Sequence, residues 1–335
     1  MTGRLYIDGK DAYKTWGVYV TKQGWNELIA FPPLKSVTTN SWQEEDGIEA
    51  DLSAPELNTR EVSIQFAYGG LFSRFLEFIA QMADTAYHDF ECVHIGRNYR
   101  LRLTQMPNLS AKHDIGKVTL KFSDDFPLEG YRYKAPQSSV TRSEDYIIDS
   151  RAFTDYGCRI LKGTLAEVMK TPAVKQNLLR NIATQPGAIY DGAFVTFKEK
   201  DVKLSCLMRA ETLDELWRNY DALLFDLTRP DERMLEVAAL EQTFPCFYKK
   251  ATVSQFYPTD KIWLRFDITV TLTHDFRLDT DDYVLAAENG IIIFTEDGEN
   301  AIEMLPGLFM LPSARLVNNR NTLRLTGSGA FRFND

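Results

Sequence analysis

"YIDGKDAYKTWGVYV" at residues 6–20 and "IIDSRAFTDYGCRIL" at residues 147–161 share one plan. Each starts as a short apolar strand that ends on an aspartate, Asp8 or Asp149. Each then reaches an aromatic residue followed by glycine, Trp16-Gly17 and Tyr156-Gly157, and resumes as a strand. The aromatic–glycine pairs lie 140 positions apart. The same offset relates Gly47 to Gly187, Asp51 to Asp191, and "REVSIQF" (60–66) to "KDVKLSC" (200–206). Near the end of each half, "KVTLKFSDDF" (117–126) matches "DITVTLTHDF" (267–276) at an offset of 150. Matching blocks in one order at a nearly constant spacing are what an internal repeat leaves in a sequence. The chain therefore reads as a first domain at 1–136, a linker at 137–146 inside the polar stretch "YKAPQSSVTRSEDY" (133–146), a second domain at 147–280, and a C-terminal appendage at 281–335.

Within each copy the pattern is mainly β. In "EVSIQFA" (61–67), Val62, Ile64 and Phe66 alternate with polar residues, as a strand with one buried face requires; the twin positions are Val202, Leu204 and Cys206. One helix follows in each copy. "GLFSRFLEFIAQMAD" (70–84) places Phe72, Phe75, Leu76 and Ile79 at helical spacing, and "ETLDELWRNYDALLFDL" (211–227) does so with Leu213, Leu216, Trp217, Tyr220 and Leu223. Thr212 and Glu215 have the spacing of a capping box. "YRLRLTQM" (99–106) and "RMLEVAAL" (233–240) read as the next strands of the two copies, followed by the closing strands. The appendage alternates Leu316, Leu323, Leu325, Phe331 and Phe333 with polar residues and carries "EDGE" as a hairpin signal, so it reads as small and all-β. The expected fold is α+β and β-rich: two tandem small β-barrels or sandwiches, each flanked by one helix, plus the appendage.

"QEEDGIEADLS" (43–53) holds five carboxylates, including Glu44, Glu45, Asp46 and Asp51. The repeat explains most of it. Glu44, Glu45 and Asp46 face Thr184, Gln185 and Pro186, so the charge is not common to both copies. The Gly47…Asp51 spacing recurs as Gly187…Asp191. Glycine suits a positive-φ turn, and aspartate can bond nearby backbone N–H groups. The shared feature reads as a hairpin loop with a solvated acidic tip in copy one rather than an active site; the alternative is a calcium or other cation site in copy one only.

The net charge is −9, with no run of Lys and Arg, which argues against a grip on nucleic-acid phosphates. No apolar run has the length of a membrane span, and the first residues lack the apolar segment of a signal peptide. A soluble protein is expected. His88, Cys92 and His94 in "HDFECVH" could form a metal half-site, but a closed zinc site needs four converging ligands. Cys158 and Cys206 stand opposite Val18 and Phe66, which reads as small buried hydrophobes. No nucleophile elbow, phosphate loop or HExxH motif is present. No catalytic residue, metal or cofactor is expected.

A strand pair, a long hairpin with G-x-x-x-D, the strand "REVSIQF", one amphipathic helix and an acidic–aromatic strand end together resemble the tail-tube domain of tailed phages. The resemblance is to the hub domain of distal tail (Dit-like) proteins and, because the domain is doubled, to baseplate hub proteins. It implies a non-enzymatic ring subunit of a phage or prophage tail, located in the virion tail after assembly in the bacterial cytoplasm. The implied state is a trimer with pseudo-sixfold symmetry or a hexamer, with the tail tube and tape measure as partners, and with no membrane and no sequence-specific nucleic acid. The excursions carrying Glu44, Glu45, Asp46, Gly47, Asp51, Gly187 and Asp191 would then make contacts between domains or subunits. An acidic balance suits a lumen that DNA must pass without being held. The alternative is a carbohydrate-binding or adhesion module using exposed Trp or Tyr.

Overall fold

The computed structural model describes residues 1–21, 24–106, 110–111, 115–176, 179–181, 183–184, 186–190, 195–274, 276, 283–284, 303–304, 315–318 and 323–326. Residues Met1–Ala238 with Thr243–Phe276 make one compact unit; Ala239–Gln242 with Arg277–Asp335 make a second.

In the first half the elements are β1 (Tyr6–Ile7), β2 (Lys10–Asp11), α1 (Ala12–Trp16), β3 (Val18–Val20), α2 (Asn26–Ile29), β4 (Thr39–Asn40) and β5 (Glu49–Ala50). They continue as β6 (Arg60–Gly69), α3 (Phe72–Asp84), β7 (Tyr87–Cys92), β8 (Arg97–Gln105), β9 (Ser110–Ala111) and β10 (Ile115–Asp124). The second half has β11 (Tyr146–Ile148), β12 (Arg151–Ala152), β13 (Cys158–Ile160), α4 (Thr164–Met169), β14 (Leu179–Asn181) and β15 (Ala188–Tyr190). It ends with β16 (Lys200–Ala210), α5 (Leu213–Leu227), β17 (Arg233–Val237), β18 (Gln242–Tyr257) and β19 (Ile262–Leu272).

The first sheet runs β2-β1-β7-β8-β10-β6-β3 and the second β12-β11-β17-β18-β19-β16-β13. Element for element these are one order. Each sheet ends on two edges, so the strands do not close into the expected barrel. The small hairpins match too: Thr39 pairs with Ala50 and Leu179 with Tyr190, while the bridges Leu34–Leu57 and Val174–Phe197 close their bases.

Local chemistry explains the match. Asp8-Gly9 and Asp149-Ser150 all have positive φ, which makes two-residue turns between β1 and β2 and between β11 and β12. Each aspartate also clamps the neighbouring strand: Asp8 accepts from the Asp89 N–H at 2.9 Å and Asp149 from the Met234 N–H at 2.9 Å. Gly17 and Gly157 sit at φ 73° and 72°, and an added Cβ would meet the carbonyl of Gly69 or Arg209 within 3 Å. Short helical turns lead into both glycines, α1 in the first half and a 3-10 turn at Phe153–Tyr156 in the second. Five residues are too few to show helical periodicity, so these turns were not expected from sequence.

The core of each half is one sheet face covered by one helix. Val62, Ile64 and Phe66 are buried, as are Val202, Leu204 and Cys206. In α3 the buried stripe is Phe75, Phe78 and Met82, not the expected Phe72, Phe75, Leu76 and Ile79; Leu76 is 48% exposed. Helix α5 buries Leu216, Trp217, Tyr220 and Leu223 of the expected stripe and leaves Leu213 half-buried, and Thr212 caps it by accepting the Glu215 N–H.

Two strand assignments are corrected. The partner of β8 is β18, whereas "RMLEVAAL" contains β17, the counterpart of β7. The closing strands correspond at 148, not 150: Leu120 lies opposite Ile64 and Ile268 opposite Leu204. A shift of two leaves every side chain on its own face, so alternation alone could not detect it. Asp125 thus corresponds to Thr273; Asp275 lies outside the described residues. The 137–146 linker is held against α5. Asn219 of α5, fully buried, donates to the Gln137 carbonyl and accepts the Gln137 N–H, both at 2.8 Å.

The second unit shows two hairpins, β20 (Tyr283–Val284) with β21 (Glu303–Met304) and β22 (Arg315–Asn318) with β23 (Leu323–Thr326). "EDGE", Phe331 and Phe333 lie outside the described residues. Among the described residues no helix is long and apolar enough to cross a membrane.

Candidate functional site

The acidic stretch is held against the second half of its own chain. Six hydrogen bonds between described residues hold the tip between β4 and β5 there. The Gly47 N–H donates to the Phe197 carbonyl and the Ile48 N–H to the Thr273 carbonyl, each at 2.8 Å. Asp46 accepts the Phe197 N–H and the Gln43 carbonyl accepts the Thr196 hydroxyl, again at 2.8 Å. Lys175 Nζ donates to the carbonyls of Trp42 at 2.6 Å and Glu45 at 2.8 Å. Lys175 is only 3% exposed. A buried ammonium must be satisfied, and here main-chain carbonyls do it. Gly47 is the close-approach point: at φ 71°, a Cβ would lie 1.6 Å from the Thr273 oxygen.

Toward the base of the excursion, residues 29–34 extend the seam. Phe31 stacks on Tyr220 with ring centroids 3.9 Å apart. The Tyr220 hydroxyl donates to the Ile29 carbonyl at 2.9 Å, and the Tyr248 hydroxyl to the Pro32 carbonyl at 2.8 Å. The Leu34 N–H donates to the Lys249 carbonyl at 2.9 Å. Lys249 lies at a shift in the β18–β19 register, where a bulge turns a ladder carbonyl outward. Trp217 donates its indole N–H to the Ile95 carbonyl at 2.7 Å, and Arg97 covers its ring while pairing with Asp221 at 2.5 Å. Burial raises the Tyr220 and Tyr248 phenols well above their ordinary range, so both hydroxyls keep the proton they donate.

Of the residues read from sequence, Glu44, Glu45 and Asp51 are exposed; the Asp51 carboxyl bonds Ser53, whose hydroxyl and N–H pull its pKa down. The acidic tip is solvated through Glu44 and Glu45 but docked through Asp46 and Gly47. Gly187 keeps the positive φ of its twin, 82°, yet a Cβ there meets nothing within 4 Å. Asp191 lies outside the described residues. His88 is fully buried, bonded to Asp8 at 2.8 Å and to the Met82 carbonyl at 3.2 Å, so both ring nitrogens are used inside the fold. Cys92, Cys206 and Cys246 are buried and burial pushes their thiols up, opposite to what a reactive thiolate needs.

No family model matches the chain, and no curated protein does. Among solved structures it is similar to the SPP1 Dit (gp 19.1) protein, described as a paradigm of the hub adsorption apparatus in phages infecting Gram-positive bacteria. The match has a TM-score of 0.29 and 13% identity, and covers 80% of this chain and 98% of that one.

Sequence reasoning missed Lys175, Tyr220 and Tyr248 as seam residues. Tyr220 was legible only as core, Tyr248 lies in a strand the sequence reading did not identify, and Lys175 has a lysine, Lys35, at the same place in the first half.

Proposed function

We propose that the protein is a non-enzymatic structural subunit of a phage or prophage tail, at the distal tube or baseplate hub. In this reading it is a tandem duplication of a tail-tube-like domain, and copies assemble into a ring around a lumen, as a trimer with pseudo-sixfold symmetry or a hexamer. Tail tube and tape measure would be its neighbours. The observation that carries the reading is the identical seven-strand order of the two halves, joined by a docked hairpin from the first half. Repeated units that join through unlike surfaces build rings when the rotation between them closes. The buried seam is filled by main-chain and aromatic contacts that fix geometry. The aspartates repeated at 8 and 149 clamp turns instead of facing a cleft. The reading rests on this internal repetition and on the sequence pattern, not on the likeness to the hub protein.

Negative-stain electron microscopy of the purified protein tests it. Annular particles with an axial opening are expected. Particles without an opening, together with binding on a glycan array, would overturn the reading in favour of an adhesion module.

A further inference from the structure

At one corner of the sheet the two halves differ in chemistry. Arg60 faces Asp124 across β6 and β10, and Lys200 faces Leu272 at the same place in the second half. Phe122 faces Leu103 where Val270 faces Tyr248, so Tyr99 on β8 corresponds to Phe244 on β18. Phe244 and Leu272 are fully buried. The second half thus closes this corner with hydrocarbon, while the first buries an ion pair and places a phenol beside it. A buried ion pair is often no better for stability than apolar residues of similar volume, so the fold alone does not call for the polar set. The corner opens on a cavity of about 350 Å³ between β8, α5 and residues 126–131. Arg60 is only 9% exposed. Two of its nitrogens are committed, to the Ala30 carbonyl and to Asp124 at 2.5 Å. Its Nε and the Tyr99 hydroxyl are buried and have no hydrogen-bond partner among the described residues. The guanidinium carbon lies 5.6 Å from the centre of the Tyr99 ring, so the two free donors share one corner of the cavity. Asp124 and Asp221, also on the wall, are each neutralised by an arginine, Arg60 and Arg97. Arg100 and Glu129, both exposed, add one charge of each sign.

We propose that this cavity binds a carboxylate carried on a small apolar body, as a free organic acid or as the C-terminal residue of a peptide. The carboxylate accepts from Arg60 Nε and from the Tyr99 hydroxyl, and the apolar part lies against Phe31, Leu128 and Leu224. Arginine nitrogens donate only. Burial pushes the Tyr99 phenol up to about 12, so it keeps its proton for donation. An ionised acceptor is favoured because such hydrogen bonds are about twice as strong as neutral ones. The apolar wall favours a single carboxylate over a phosphate, whose greater charge would need more partners. The volume is in the range of small-molecule pockets, about 300–1,000 Å³. The site belongs to one chain and does not rest on the ring reading.

Calorimetric titration of the full chain with hydrocinnamate, and with its neutral amide, tests the site. Hydrocinnamate should bind with a Kd of about 1 mM or tighter. The amide should bind at least about 10-fold more weakly. N-acetyl-glycyl-phenylalanine and its C-terminal amide separate the two sources: a dipeptide acid that binds tighter than hydrocinnamate assigns the site to a chain end, and the reverse order assigns it to a free acid. Tyr99→Phe puts into the first half the side chain that the second half holds at Phe244. It should weaken hydrocinnamate about 5-fold or more. The urea midpoint should stay level or rise, because the lost hydroxyl has no partner within the described chain. Neither acid binding at about 10 mM, acid and amide binding alike, or a Tyr99→Phe chain that binds as wild type does would overturn the site. A lowered midpoint in Tyr99→Phe would overturn it too, by showing that the hydroxyl is already satisfied inside the fold. Annular particles in electron microscopy bear on the ring alone, so the two readings fail separately.

Discussion

Replacing Gly47 by alanine should destabilise the dilute monomer far more than replacing Gly187. Both glycines have positive φ, 71° and 82°, so each alanine carries about 1 kcal/mol of left-handed backbone strain. There the similarity ends. At Gly187 the added methyl meets nothing within 4 Å, while at Gly47 it would lie 1.6 Å from the Thr273 oxygen and 2.7 Å from its carbonyl carbon. Those are backbone atoms of the segment leaving β19 and cannot rotate away. The tip must lift, and lifting it removes six hydrogen bonds. At about 1 kcal/mol each, partly recovered by water, they add about 3 kcal/mol or more. The expected losses are therefore about 4 kcal/mol for Gly47→Ala and about 1 kcal/mol for Gly187→Ala. Urea unfolding followed by tryptophan fluorescence measures both, at dilutions where chains do not associate. Equal losses, within about 0.5 kcal/mol, would refute a docked tip.

Other consequences follow from the same seam. Lys175→Met should cost about 2 kcal/mol, because it strands the carbonyls of Trp42 and Glu45, whereas Lys35→Met should leave the monomer unchanged; paired urea titrations check this. Phe31→Ala opens a hole against Tyr220 and should cost about 3 kcal/mol or more, with Tyr220→Phe losing about 1 kcal/mol, read as thermal midpoints. Burial pulls the Lys200 amine down to about 8 from an ordinary value of 10.5, where it donates to the Val168 carbonyl. Between those values the folded chain has released a proton that the unfolded chain keeps, so stability should rise with pH from about 8 to 10.5 and be flat below 8; Lys200→Met should abolish the rise in urea midpoints taken across that range.

Much of the fold could be read from residues whose role is local. Asp8 and Asp149 mark tight turns, Gly17 and Gly157 mark close backbone approaches, and Thr212 with Glu215 marks the start of α5. The alternation in "EVSIQFA" gives the buried face of β6 directly. What depends on distant partners was not legible. β18 carries Pro245 and two consecutive lysines, Lys249 and Lys250, and a bulge, so it does not alternate cleanly and its pairing with β19 was missed. Polar composition marks 137–146 as a linker but not as a docked one, since the signal of its docking is a buried asparagine 82 residues away. The seam is the hardest part to see. Lys35 and Lys175 are the same residue in the same local setting, and only the tertiary contact separates an exposed amine from a buried one. Main-chain carbonyls accept in nearly every contact of the tip, and those leave no mark on side-chain identity.

The central claim is that a chain whose two halves share one strand order closes into a ring when copies assemble. The mass distribution of the purified wild-type protein by analytical ultracentrifugation, over a wide concentration range, tests it most directly. A single closed species of three or six chains, with no growth beyond it, is the result expected. A monomer throughout, or a dimer that stops at two chains, would contradict it.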